Sequence, residues 1–170
     1  KLTEEEIDIE ENLSQNPPVF LPYLNGERAP VYDARARASF VNLGLNTTPI
    51  TLKYAVLEGV AFSLKSIFDL IGLSANKILA AGGHNRALFQ LKADVLNLPI
   101  YPVKEEEATA LGAIILGKVA YGEYPNIIEA IKNEVMYEQP FIPQQKRRIE
   151  LLKRYEIYQK IYPATKDIHK

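Results

Sequence analysis

The chain has 170 residues, 47% hydrophobic and 24% charged, with a formal net charge of −1. That length buries a real core and suits one domain with an appended helix, and the near-neutral balance gives no global field to recruit nucleic acid or an anionic membrane. With no cysteine, disulfides, thiolate nucleophiles and cysteine-ligated metals are excluded, and a reducing cytoplasmic location fits.

The chain opens on Lys1 rather than Met, which reads as a fragment of a longer protein; there is no signal-peptide pattern, and no apolar stretch long enough to span a bilayer follows. Lys1 to Asn16 is acidic, at Glu4, Glu5, Glu6, Asp8, Glu10 and Glu11, with apolar Leu2, Ile7, Ile9 and Leu13. A short helix is predicted, capped by Thr3 with Glu6 three residues on and ended by Pro17 and Pro18. Val19 to Leu24 reads as a short strand, followed by an Asn25-Gly26 turn. Glu27 to Asn46 lacks clean periodicity and reads as an ordered loop with a helical turn near Ala34.

Thr48 and Pro49 form a cap and first-turn pair. Leu52, Val56, Gly59, Val60, Leu64, Ile67, Phe68 and Ile71 then recur at helical spacing, with Gly72 as the stop. A mid-helix glycine costs about 1 kcal/mol against alanine, so Gly59 implies close packing. Ile78 to Ala81 is a candidate buried strand running into Gly82-Gly83, and a helix is predicted from Arg86 to Leu96. Leu98 to Val103 reads as another strand, Glu107 to Tyr121 as a small-residue helix, and Tyr124-Pro125 as the start of a helix to Val135. After Pro143 an amphipathic helix runs through Tyr162. Its basic cluster, Lys146, Arg147, Arg148, Lys153 and Arg154, reads as a solvated face, as does the acidic N-terminal cluster. Strands alternating with helices predict an α/β layered domain with parallel pairing. The few strands imply an edge that needs partners, which could drive self-association into a homodimer.

The turn Ala81-Gly82-Gly83-His84-Asn85-Arg86 carries the functional signal. Paired glycines let a ligand approach the main chain, and the helix N-terminus behind them offers free N–H groups to an anion. A polyphosphate or nucleotide against Gly82 and Gly83 is one reading, with the Asn85 amide on the edge of a base; a tight turn without a ligand is the other. The pattern is neither a Walker A loop nor a dinucleotide fingerprint. His84 could touch phosphate or act as a base, or sit in a surface loop. Glu27 and Arg28 could pair and brace a cleft wall. Glu105, Glu106 and Glu107 suggest a metal site, but their place before an alanine-rich helix reads better as charges that complement its dipole. Tyr155, Tyr158 and Tyr162 read as packing rather than recognition.

Four segments in order resemble the C-terminal domain of FGGY carbohydrate kinases over nearly the whole chain, residues 1–170, with the helix at 143–162 closing it. They are Phe20-Leu21-Pro22-Tyr23-Leu24-Asn25-Gly26-Glu27-Arg28-Ala29-Pro30, Ala55-Val56-Leu57-Glu58-Gly59-Val60-Ala61-Phe62, Ala81-Gly82-Gly83 with Leu88 to Leu96, and Glu107-Ala108-Thr109-Ala110-Leu111-Gly112-Ala113. The resemblance implies an actin-like, ribonuclease-H-like fold, lacking its first strands here, with ATP and Mg2+ as cofactors and a sugar or polyol as acceptor. It places Gly82 and Gly83 over the nucleotide's α-phosphate and ribose and Asn85 near adenine, and it gives Glu58 a buttressing role. It puts the catalytic aspartate and most sugar contacts upstream of these segments, so no residue here is assigned as the base. A xylulose-type enzyme is the expectation, with gluconate or ribulose kinases on the same scaffold as alternatives. A binding or interaction module without catalysis is the alternative from another class.

Overall fold

The computed structural model describes residues 7–72, 74–83 and 85–168. Its elements alternate helix and strand much as the periodicity predicts. The first helix, α1 (Ile9–Ser14), starts later than expected. The Asp8 carboxylate accepts from Glu11 N at 2.9 Å and caps it, whereas the predicted cap Thr3 lies outside the described residues.

Strand β1 (Val19–Leu21) pairs antiparallel with β2 (Ser39–Val41), Phe20 facing Phe40 in register. No strand is predicted at β2. Its three residues are too short for a visible alternation, and it exists through the partner it finds, with the Phe20 and Phe40 rings 4.4 Å apart. Between them Glu27 bridges Asp33, and Ala36 N donates to Asp33 O, so one hydrogen-bonded turn forms over Ala34 and Arg35.

Helix α2 (Pro49–Ile71) begins and ends where the sequence places it. Thr48 and Thr51 exchange a reciprocal cap and Gly72 closes the helix in the left-handed region. Gly59 meets β1 so closely that a Cβ there would lie 2.3 Å from the Phe20 carbonyl oxygen, which is why a residue with poor helix propensity sits mid-helix.

Strand β3 (Ile78–Ala80) and β4 (Ile100–Pro102) pair in parallel, Ile78 opposite Ile100 and Ala80 opposite Pro102, with α3 (Arg86–Leu96) as the crossover. The far edge of β4 is taken by residues 137–141, through antiparallel bridges Ile100 to Phe141 and Val103 to Tyr137. β3 was expected to be buried; Leu79 is instead 51% exposed. One face of the pair packs on Phe89 and Ala93 of α3; on the other, Tyr101 is partly buried beneath the Lys77 ammonium.

Helix α4 (Ala108–Tyr121) follows, then α5 (Ile127–Glu134), which starts at an Asn126 cap rather than at Tyr124-Pro125. α4 carries one charged residue, yet Ile114, Leu116 and Tyr121 are exposed and Ile115 alone is buried. Helix α6 (Gln145–Thr165) runs past Tyr162 and absorbs Pro163 in its last turn, giving up one backbone bond.

The main core joins α2, α3, α6 and β1 around Leu21, Tyr54, Phe62, Leu91, Val95 and Leu151. Tyr155 and Tyr158 are buried in it, as the packing reading expects. The basic cluster on α6 is only in part the solvated face predicted: Lys146 and Lys153 are exposed, but Arg147 and Arg154 turn inward. Arg154 is 7% exposed and grips Glu58 with two bonds, Nε to Oε1 at 2.6 Å and Nη2 to Oε2 at 2.8 Å. It also donates to the Pro18 carbonyl at 3.1 Å. Arg147 Nε reaches the buried Asp94 carboxylate at 2.7 Å. A buried acid on the facing helix turns each arginine inward.

Candidate functional site

The loop after β3 arises because a parallel strand must hand over to a helix that doubles back across the sheet. The handover leaves two consecutive residues, Gly82 at φ +76° and Gly83 at φ +69°, in the left-handed region that side chains resist. A Cβ built on either glycine meets no atom within 4 Å. Backbone conformation, not crowding, is therefore what demands glycine here, and the main chain is open to anything that approaches. Both residues and Asn85 are exposed. His84 lies outside the described residues.

Asn85 caps α3. Its side-chain oxygen accepts from Leu88 N at 2.9 Å and its carbonyl accepts from Phe89 N. The cap uses the acceptor half of the amide and leaves the NH2 half, with two donors, to face outward. The N–H groups of Arg86 and Ala87 precede the first helical bond and have no partner among the described residues. Gly82, Gly83, Asn85 and the first turn of α3 thus form one exposed donor-rich surface at the C-terminal end of a parallel strand, where α/β sheets characteristically place ligands.

Two buried ion pairs hold this frame. Asp94, two turns along α3, accepts from Gln90, from Gln144 N at the start of α6 and from Arg147. Burial pushes its carboxyl upward, opposed by those donors. Glu58 sits on α2 with Tyr54 Oη donating to it at 3.2 Å. Burial also pushes the Glu58 carboxyl upward, and Arg154 and Tyr54 pull it back. Its expected buttressing role has this physical form, a clamp from α2 to α6 and to the chain entering β1. Arg154, the other half of the clamp, has no local signature in the sequence.

The remaining candidates do not join the site. Glu27 Oε1 accepts from the backbone N–H of Arg28 at 2.8 Å and of Ala29 at 3.3 Å, folding onto its own turn. Glu105 accepts from Glu107 N at 3.1 Å and steadies the start of α4. Among the described residues no three acidic, histidine or cysteine side chains converge as a metal site, and no helix is long and apolar enough to cross a membrane.

The FGGY family model for the C-terminal domain of carbohydrate kinases matches residues 1–121. The chain belongs to the FGGY family of carbohydrate kinases. Among FGGY relatives, a xylulose kinase of Staphylococcus epidermidis is 32% identical over 155 residues, covering 88% of this chain and 31% of its own. A glycerol kinase of Vibrio vulnificus is 34% identical over 133 residues, 74% of this chain and 26% of its own. The crystal structure of a gluconate kinase from Lactobacillus acidophilus superimposes with a TM-score of 0.78 at 30% identity, over 97% of this chain and 35% of that one. The fold is therefore that of the C-terminal portion of an actin-like, ribonuclease-H-like sugar kinase. The chain spans about a third of the length of the relatives it matches.

Proposed function

We propose that this chain is the nucleotide-binding portion of an ATP-dependent sugar kinase that transfers the γ-phosphoryl group to a sugar hydroxyl, with xylulose as the acceptor. The observation that carries the nucleotide part is the open loop of two left-handed glycines set against an α-helix N-terminus. On this reading Gly82 and Gly83 lie against the α-phosphate and ribose, and the free NH2 of Asn85 faces the adenine edge. Magnesium fits as a companion of the nucleotide, since it keeps waters and phosphate oxygens as most of its ligands and needs no protein cage. The chain's own residues bind and orient; the base that accepts the hydroxyl proton lies on the remainder of the protein, as do most sugar contacts.

The similarity to a xylulose kinase extends over 155 residues at 32% identity, against 133 for a glycerol kinase, while a ribulokinase of Staphylococcus saprophyticus matches over 160 residues at 30%. The Gly26-Glu27-Arg28 segment favours a xylulose- or gluconate-type kinase over a glycerol kinase. A gluconate or ribulose kinase is the second reading. A coupled phosphorylation assay of the full-length protein across a sugar panel separates them: turnover on xylulose above all others is expected, and activity on glycerol alone would overturn the assignment. Ligand-detected NMR with ATP and ADP, with and without magnesium, tests the loop. This piece alone is expected to show no kinase turnover.

A further inference from the structure

A second cleft lies away from the loop, between α2, α3 and the turn that carries Glu27. Its volume is about 320 Å3, within the range of small-molecule sites, and none of Gly82, Gly83 or Asn85 lines it. Pro22, Val60, Leu64 and Ile67 make apolar walls, with Lys92 from α3 and Glu27 from the turn as its charged groups.

Lys92 differs from four other partly buried cations. Arg154 has Glu58, Arg147 has Asp94, Lys65 has Asp69 and Lys118 has Glu134, each with N to O at 2.9 Å or less. Lys92 is half-buried and makes no ion pair among the described residues; its ammonium lies over the Phe89 ring, 5.9 Å from the centroid. Burial without a counter-charge depresses its pKa. Glu27 lines the same cleft but does not compensate it. One of its oxygens is held by the backbone N–H of Arg28 and Ala29, and the other makes no hydrogen bond among the described residues. A cation and an anion thus line one apolar cleft without touching.

We propose that this cleft binds a small organic anion that also carries hydrogen-bond donors. A carboxylate or phosphate sits on Lys92, an ammonium or hydroxyl faces Glu27, and an aliphatic body lies against Val60, Leu64 and Ile67. Such a ligand supplies the counter-charge that Lys92 lacks, which an uncharged apolar molecule would not do. The inference is independent of the nucleotide assignment.

The test reads Lys92 directly, on the full-length protein. Lysines are acylated with an N-hydroxysuccinimide ester in the presence of graded N,N-dimethyl-L-leucine, a carboxylate with a tertiary ammonium that does not consume the ester, or glycerol 3-phosphate, a phosphate with hydroxyls. Peptide mass spectrometry follows Lys92 against the exposed Lys160. At least one probe is expected to protect Lys92 saturably while Lys160 labels as before. Glu27→Gln keeps the acceptor oxygen that the backbone needs and removes the charge. It should raise the concentration for half-protection about tenfold. Gly83→Val should leave protection unchanged, which separates this cleft from the nucleotide loop. Lys92 labelling that ignores both probes up to about 20 mM, a weak-binding ceiling, or that falls in step with Lys160, would overturn the proposal.

Discussion

Glycine appears at two places in this molecule for opposite reasons. At Gly59 the backbone is ordinary helix and the space is full, with the Phe20 carbonyl 2.3 Å from where a Cβ would sit. At Gly82 and Gly83 the space is empty and the backbone is unusual. The seam of α2, β1 and α6 around Gly59 has spent its glycine on packing, whereas the loop after β3 keeps its main chain uncovered. A packed glycine reports on stability and an uncovered one on what approaches from outside. The two regions should therefore respond to mutation in different observables.

The largest stability effect belongs to the seam. Arg154→Ala strands the Glu58 carboxylate in the core and is expected to cost about 3–5 kcal/mol in denaturant unfolding. The double variant Glu58→Leu with Arg154→Leu should recover much of that, because it removes the stranded charge. Gly59→Ala comes next, at about 1–3 kcal/mol or more for a methyl forced against backbone. The same melts on Gly83→Ala should show about 1–2 kcal/mol, the cost of the left-handed conformation alone. A value above about 3 kcal/mol would mean that something unseen packs on the loop.

Nucleotide affinity should rank the same sites in reverse. Gly83→Val is expected to weaken ATP binding by calorimetry in the full-length protein, since a branched side chain fills the open space. Unchanged affinity would count against the loop. Asn85→Ser keeps the helix cap and drops the amide, so it should lower affinity with little change in stability; Asn85→Ala should also lose about 1 kcal/mol of stability.

The most graded effect is alkaline. Burial raises the Tyr54 and Tyr158 phenols, and that of Tyr155 is pushed up to about 12. The folded state then holds protons that the unfolded chain releases from about pH 10. Stability from these tyrosines is complete below pH 10 and falls as pH rises, over pH 10 to about 12 for Tyr155. Each contributes a slope of about 1.4 kcal/mol per pH unit in its window. Unfolding followed at fixed pH, with tyrosinate absorbance alongside, checks the sign. A rise in stability above pH 10 would contradict it.

How far each region was legible from the sequence follows the range of the contacts that make it. Thr48-Pro49 and Gly72 set both ends of α2 because capping is local, and the same holds for α3 from Arg86 to Leu96. Gly59 announced a close approach without naming Phe20. β2 was missed because three residues become a strand only when Phe20 and Val19 arrive beside them. Arg154 read as solvated because its acid lies 96 residues away on another helix. The loop glycines were legible as a turn, and their left-handed torsions give that turn its physical cause. The cap made by Asn85 was overlooked although an Asn directly before a helix is a strong local signal.

Helix α6 lies wholly beyond residue 121, where the family match ends, yet its two inward arginines answer to Glu58 and Asp94 inside that match. The stretch that the family model matches is therefore not the whole of the stretch that packs together. Truncating the protein at the family boundary would orphan two buried acids at once. For the same reason a chimera that exchanges this helix between relatives must carry acid and arginine together, and in a deep set of family sequences positions 58 and 154, and 94 and 147, should change in concert or not at all.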